Sequence, residues 1–516
     1  MPKHTKFTNN PLTGQLEKTT TEATTSISIG IGQSTPPSER STTTSHRGGN
    51  HNRRGGSPRG GRVATHQYTD RLSFNDGKNR KIDDNAMIDE NDDQKQTRPS
   101  WGKRRVSTSQ TNMSLAENEF SSALFSIKVG LKENVVMSPF SIFICFLNCM
   151  VGTNNESLTE IIDGLFLSKS YDSVGNFNTL KEKFENWKKT ELEKYTNMIK
   201  ILIQTNDTLS IANRIYLQET VQIKEPFLQE LESKFDSQAE RVDFMNKPSA
   251  QVRLINKWVE DKTRKYIRDL LSDTDINRQT IMVLVNAIYF NGKWKYQFKN
   301  RSTFKKSFRT ISNPSGGDKC DMMHMSSDKK FCYANLDEYQ LLQLPYSDED
   351  YCMTFIKPNE NVTLNEETEN DFNQWIIEKL QDVTQLQPNT FVKVDRIEIP
   401  KFKFQATLPN LVQSFREDPF NIKNIFSSQA DFSSMLANSN DQVHISNVIH
   451  KAFIQVDESG TVAAAATAMG GRGGGRAMKK FTPSYQFIAD RPFVFILQHL
   501  PTNTILFTGK INEMTN

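Results

Sequence analysis

Apolar side chains are sparse up to about residue 112 and dense beyond it. From Ser114 the pattern turns periodic. Phe120, Leu124, Ile127 and Leu131 recur at helical spacing and predict an amphipathic helix. Residues 134–137 (NVVM) read as a short buried strand. Ser138-Pro139 then opens a helix with a capping hydroxyl and a proline in its first turn. That helix, FSIFICFLNCMVG, is apolar nearly all round and is expected at the centre of the fold. Polar helices are expected over residues 155–205. The β-branched runs 209–217 and 281–290 predict central strands. Residues 250–271 predict an amphipathic helix with a basic second half. Over 300–356, aromatic and β-rich stretches alternate with charged turns. Residues 372–380 predict a helix, and 392–404 alternate as a strand would. There is no regular βαβ alternation and no repeat of roughly 20–50 residues. The pattern predicts an α+β unit over 113–516, preceded by a disordered Thr/Ser/Gly/Arg-rich extension over 1–112, whose composition cannot offset the entropy of ordering.

One stretch breaks the pattern. Residues 456–481 read VDESGTVAAAATAMGGRGGGRAMKKF. An acidic turn is followed by very small residues, then by five glycines around Arg472 and Arg476, then by a basic end. Long loops of this kind in compact domains are usually functional.

Composition narrows the classes. The net charge of +4 gives no global field toward nucleic acid or membrane. No apolar run is long enough to span a bilayer. Cys145, Cys149, Cys320, Cys332 and Cys352 are too few and too irregular for a disulfide framework. The first residues, MPKHTKFTNN, lack the apolar core of a signal peptide, which leaves a cytoplasmic location open. The tail segment HRGGNHNRRGGSPRGGR (46–62) is basic and could touch RNA. The acidic stretch 83–93 balances it, and no nucleic acid is expected on the folded domain. No P-loop, HExxH, GxSxG or zinc-ligand spacing is present, so neither an enzyme nor a cofactor is expected.

The ordered part resembles a serpin. The resemblance rests on five stretches in order: NVVMSPFSI (134–142), ANRIYL (212–217), INKWVEDKTRKYIRDLL (255–271), LVNAIYFNGKWKYQF (284–298), and IHKAFIQVDESGT (449–461) with DRPFVFILQHLPTNTILFTGKI (490–511). It implies three β-sheets, about eight or nine helices around them and an exposed reactive-centre loop, here about 458–481. It also implies a serine-protease inhibitor that is cut as a suicide substrate and inserts its loop into the main sheet, trapping the protease covalently. A monomer, no membrane contact and an extracellular location follow from the same resemblance.

The residues suit that mechanism. The hinge would comprise Glu458, Gly460, Thr461, Val462, Ala463, Ala464, Ala465, Ala466 and Thr467. Side chains of a strand alternate faces, so Thr461, Ala463, Ala465 and Thr467 would fall together beneath the sheet. From Thr461 to Ala468 every residue is small, and none is charged or proline. Val462 stands where serpin hinges usually carry Glu. The usual spacing from Glu458 puts the cut near Gly474-Gly475. A trypsin-like pocket prefers Arg, which favours Arg476-Ala477, with Arg472-Gly473 second. The resemblance further implies that Ser138, Ser141, Asn286 and His450 form a hydrogen-bonded cluster gating strand insertion. It puts Trp294 near the top of the sheet, where the loop first enters. The alternative function is a non-inhibitory serpin acting as a binding or scaffold protein.

Overall fold

The computed structural model describes residues 5–9, 16–20, 112–130, 132–173, 175, 178–204, 208–388, 390–408, 410–438, 440–461 and 484–514. Contacts divide the chain into residues 21–97, with the first methionine, and the remainder; residues 21–97 lie outside the described residues. So do Val462 to Thr467 of the expected hinge and every residue offered as the bait, Arg472 to Ala477.

Within the extension, Thr5–Asn9 pairs antiparallel with Leu16–Thr20, where composition predicted no order. β-Branched Thr favours extended backbone, although two strands alone are marginal in water.

Ordered structure resumes with the helix Asn112–Val129, as the periodicity predicts. Val135–Met137 is a strand, and Ser138 caps the helix Pro139–Met150, its Oγ accepting from the Ser141 N–H at 3.3 Å. Every residue of that helix is buried. Its all-round apolar surface is met on all sides: Phe143 packs edge-on to Phe120 at 5.4 Å, and Phe146 lies 4.4 Å from Phe415.

A seven-stranded sheet crosses the middle of the molecule. Its order runs Gln238–Val242, Leu209–Gln218, Met282–Phe290, then Ile445–Val456. Phe402–Leu408 pairs antiparallel with the outer side of Ile445–Val456. The main core lies on one face, with the helix Pro139–Met150. A second apolar cluster lies on the other face, where the helix Pro248–Lys262 supplies Val252, Ile255 and Val259. The other strands form a ten-stranded sheet. The long strand Phe391–Pro400 joins its two parts, pairing first with Lys330–Asn335 and then with Lys319–Met325. The expected three sheets are therefore present, with two of them sharing one strand. The architecture is α+β and the fold is that of the serpin-like expectation.

Two local expectations are corrected. The helix expected over 250–271 ends at Lys262. Thr263 stops it: its Oγ1 donates to the Val259 carbonyl at 2.7 Å and accepts from the Ile267 N–H at 3.2 Å. Arg264 (φ 51°) and Lys265 (φ 66°) then turn left-handed, which brings Ile267, Leu270 and Leu271 back into the second cluster. The strand expected over 392–404 is two strands in two sheets, Phe391–Pro400 and Phe402–Leu408, divided at Lys401.

The C-terminal strand Thr504–Ile511 is held between Phe493–His499 and Val135–Met137. Gly509 permits this: a Cβ there would lie 2.6 Å from the Val135 carbonyl oxygen and 2.6 Å from the Phe495 ring. Gly509→Ala must push backbone aside. It is expected to destabilise the domain by about 1–3 kcal/mol, read as a lower urea midpoint.

Candidate functional site

The long strand Ile445–Val456 lies parallel to Met282–Phe290, from Ile445 opposite Met282, across a one-residue shift before Asn447, and then rung by rung up to Phe453 opposite Tyr289. Just above that last rung the two strands part. Beyond Val456 the chain turns back through Asp457, Glu458 and Ser459. Gly460–Thr461 then enters between the strands, with Thr461 opposite both Val456 and Gly292.

The turn is built from its own residues. The Asp457 carboxylate accepts from the N–H of Ser459 at 2.8 Å and of Gly460 at 3.3 Å. Gly460 has φ +153°, and a Cβ there would stand 2.1 Å from the Gly292 carbonyl oxygen. Only glycine fits such a position.

Trp294 grips the same turn. Its backbone N–H donates to the Ser459 carbonyl at 2.9 Å and its indole N–H to the Asp457 carbonyl at 3.0 Å. Its ring stacks on Tyr346 at 4.5 Å, and the Tyr346 hydroxyl lies 2.6 Å from Oγ1 of the fully buried Thr461. Burial pushes the Tyr346 hydroxyl well above its ordinary pKa, so it stays protonated. Glu458 accepts from the Thr303 hydroxyl at 2.6 Å, pairs with Lys401 at 2.9 Å, and takes the Phe298 N–H on its carbonyl at 2.9 Å. Burial alone would raise its pKa, but Thr303 and Lys401 outweigh burial and hold the carboxyl below its ordinary range.

Halfway down the seam sits the polar cluster. Ser138, Ser141, Asn286 and His450 are all buried and are brought together. The Ser138 N–H donates to His450 Nε2 at 3.1 Å, so the proton of the neutral ring is on Nδ1, which faces Asn286 Oδ1. Ser141 Oγ reaches the same Oδ1 at 2.9 Å, and Asn286 Nδ2 donates to the Ser141 carbonyl at 2.8 Å. Burial pulls the His450 pKa down to about 3. The sequence reading missed Asn213, which accepts from Asn286 Nδ2. Its one signal was a polar amide inside the apolar run 209–217. Gly292, Thr303, Tyr346 and Lys401 were missed as well.

The far end of the loop is held differently. Tyr485–Ile488 pairs parallel with Phe391–Pro400. Just past it, Asp490 pairs with Arg309 at 2.5 Å and Lys306 at 3.2 Å, and Arg491 pairs with Glu360 at 2.5 Å. Lys306 also meets the buried Glu398 at 2.8 Å. Among the described residues no group of His, Cys, Asp and Glu could hold a metal ion, and no helix is long and apolar enough to cross a membrane.

A loop that starts as a wedge in a sheet is the feature by which known proteins can be compared. The family model described as serpin (serine protease inhibitor) matches residues 115–514. An uncharacterised serpin-like protein of Methanosarcina mazei is 34% identical over 386 residues, covering 74% of this chain and 82% of that protein. The leukocyte elastase inhibitor of Homo sapiens is 29% identical over 411 residues, covering 78% of this chain and 99% of that protein. The crystal structure of Serpin48 of the insect Tenebrio molitor has a TM-score of 0.62 at 26% identity, covering 79% of this chain and 100% of that one. The match spans nearly all of the ordered region and includes the wedge and the seam: this chain belongs to the serpin family, a family of serine protease inhibitors.

Proposed function

We propose that the protein inhibits trypsin-like serine proteases as a suicide substrate. The serine Oγ of the protease forms an ester with the carbonyl carbon of the bait residue. The C–N bond to the next residue breaks, and the new amine takes a proton. The freed loop then enters the seam, carrying the acyl-enzyme with it.

One observation carries this reading. Thr461 already lies opposite Val456 and Gly292, and the rungs below it are paired directly with each other. Each further loop residue would meet one residue earlier on both strands. Ala464 would come between Phe453 and Tyr289, and Thr467 between His450 and Asn286. Those pairs are each other's present partners, so the loop can enter in register as far down as Asn447 and Val283, where the strands shift by one residue. Insertion would exchange one parallel ladder for two antiparallel ones, which are the more stable per residue. Each added hydrogen bond contributes about 0.5–1.5 kcal/mol. The small side chains fit the two faces, one toward the main core and one toward the helix Pro248–Lys262.

Arg476-Ala477 remains the favoured bait and Arg472-Gly473 the second. By the same register Arg472 would lie opposite Ile445, the lower end of the seam. A cut after Arg476 leaves four residues as a tether of about 13 Å, long enough for insertion to finish. The five glycines and Val462 favour the second reading, a non-inhibitory binding or scaffold protein, because glycine weakens a strand. The extension 1–112 is read as a solvated tail.

Mixing the protein with trypsin is expected to give a covalent band heavier than either partner on a denaturing gel. Clean cleavage with no such band would support the non-inhibitory reading. Thr461→Arg, which forces a charge onto the buried face, is expected to cut the complexed fraction at least about tenfold and leave a substrate.

The cluster under the seam gives a pH dependence. His450 has a folded pKa of about 3, below the 6.5 of the free side chain. The unfolded chain therefore takes up its proton first, and stability from this residue is complete above about pH 6.5 and falls as pH drops toward 3. It amounts to about 2 kcal/mol between pH 7 and 5. His499, pulled down to about 4 by burial, acts in the same direction. Glu117, raised to about 8 by burial, acts in the opposite one. Urea midpoints of His450→Gln against the parent isolate the histidine: the variant is expected to lose the His450 share of the acid slope.

A further inference from the structure

The segment after the helix Pro248–Lys262 has a feature that packing of the second cluster does not require. Tyr266 is 37% exposed, yet its ring is placed with care. It stacks on Tyr289 at 4.5 Å and 9°, and lies 5.4 Å from Phe453. Tyr289 and Phe453 belong to opposite sides of the seam and form its uppermost closed rung. One ring therefore spans the two strands at the point where they would first part.

The backbone is strained to achieve this. Arg264 and Lys265 are consecutive left-handed residues with side chains, a conformation rarely adopted twice in a row. The Lys265 N–H donates to the Glu260 carbonyl at 2.7 Å and the Tyr266 N–H to the Thr263 carbonyl at 3.0 Å, which fixes the turn. Strain of this kind persists where surrounding contacts over-determine it, and it collects at functional sites.

Polar contacts also tie the segment to the strand Ile445–Val456. Lys451 Nζ donates to the carbonyls of Arg268 at 2.6 Å and Asp269 at 2.9 Å, and Lys451 stands on Ile445–Val456. The ring of Tyr266 carries the segment across to Tyr289 on the other side of the seam.

We infer that Tyr266 is a positioning residue that latches the seam: its ring holds the Phe453–Tyr289 rung closed and sets the rate at which a strand can enter. The inference rests on the loop-insertion reading, since Ala464 is the residue that would part this rung. Losing the stack across the seam is expected to speed insertion about fivefold to tenfold.

The test adds a synthetic peptide of the sequence 462–472 to the intact protein and follows the rise in melting temperature with time. The parent is expected to take up the peptide slowly. Tyr266→Ala and Tyr266→Leu are expected to take it up several-fold faster, and Tyr266→Phe, which keeps the stack, at the parental rate. A residue that merely supports the fold would move the urea midpoint without this selective change in rate. If the parent gains stability with peptide but both Tyr266→Ala and Tyr266→Leu do so at the parental rate, the latch is wrong and loop insertion stands. If the parent gains stability neither with peptide nor after its own loop is nicked, loop insertion is wrong, and the latch goes with it.

Discussion

The direct pairing of Met282–Phe290 with Ile445–Val456 is the constraint on which the rest of the structure turns. Two parallel strands in the middle of a mostly antiparallel sheet have settled for the weaker ladder. A better partner for both is covalently attached at the end of one of them. On the loop-insertion proposal, the connection from Thr461 to the strand Tyr485–Ile488 on another sheet is what would limit its entry. On that proposal the uncut chain would be a local optimum set by connectivity, and one peptide bond would separate it from a sheet with an additional strand.

The two faces of the seam hold it shut by different means. On the core side, Ser138, Ser141, Asn213, Asn286 and His450 satisfy one another where no water reaches. A buried polar network is directional and fails sharply when one partner shifts, so it defines the closed register. On the helix side the contacts are aromatic and non-directional. A ring across a seam yields gradually as the strands separate. On these proposals the polar cluster would fix where the strands sit, while the aromatic layer would resist their parting.

Much of this was legible beforehand, and the exceptions have physical reasons. The Ser138 cap, the fully buried helix and the central strands follow from local pattern. Ser138, Ser141, Asn286 and His450 could be named together through the family resemblance, and the chemistry agrees, because buried polar side chains must find partners. Asn213 has the same signal but stands alone in its run, and nothing local says which partner it meets. The helix end at Thr263 was hidden because DKTRKY is made of residues that tolerate a helix. What stops it is the docking of Ile267, Leu270 and Leu271, a tertiary effect that overrides propensity. The break at Lys401 was hidden because alternation of polar and apolar residues runs straight through it, while the chain changes sheets. Tyr346 and Thr303 reach the hinge only through the fold.

The two anchors of the loop differ in kind, and that difference decides which end moves. Upstream, Gly460–Thr461 is held by ladder hydrogen bonds within the sheet that would receive the strand, and by one hydroxyl pair with Tyr346. On the proposal above, moving further in would extend the ladder that Gly460–Thr461 has begun. Downstream, Asp490 and Arg491 are fixed by ion pairs to Arg309, Lys306 and Glu360, with Glu398 behind them. None of those partners lies on the seam, so drawing that end in would break buried charges apart, which costs several kcal/mol per ion left unpaired. On the proposed mechanism a cut in the loop would therefore leave the downstream end in place. The upstream end is free to extend the strand it has already begun.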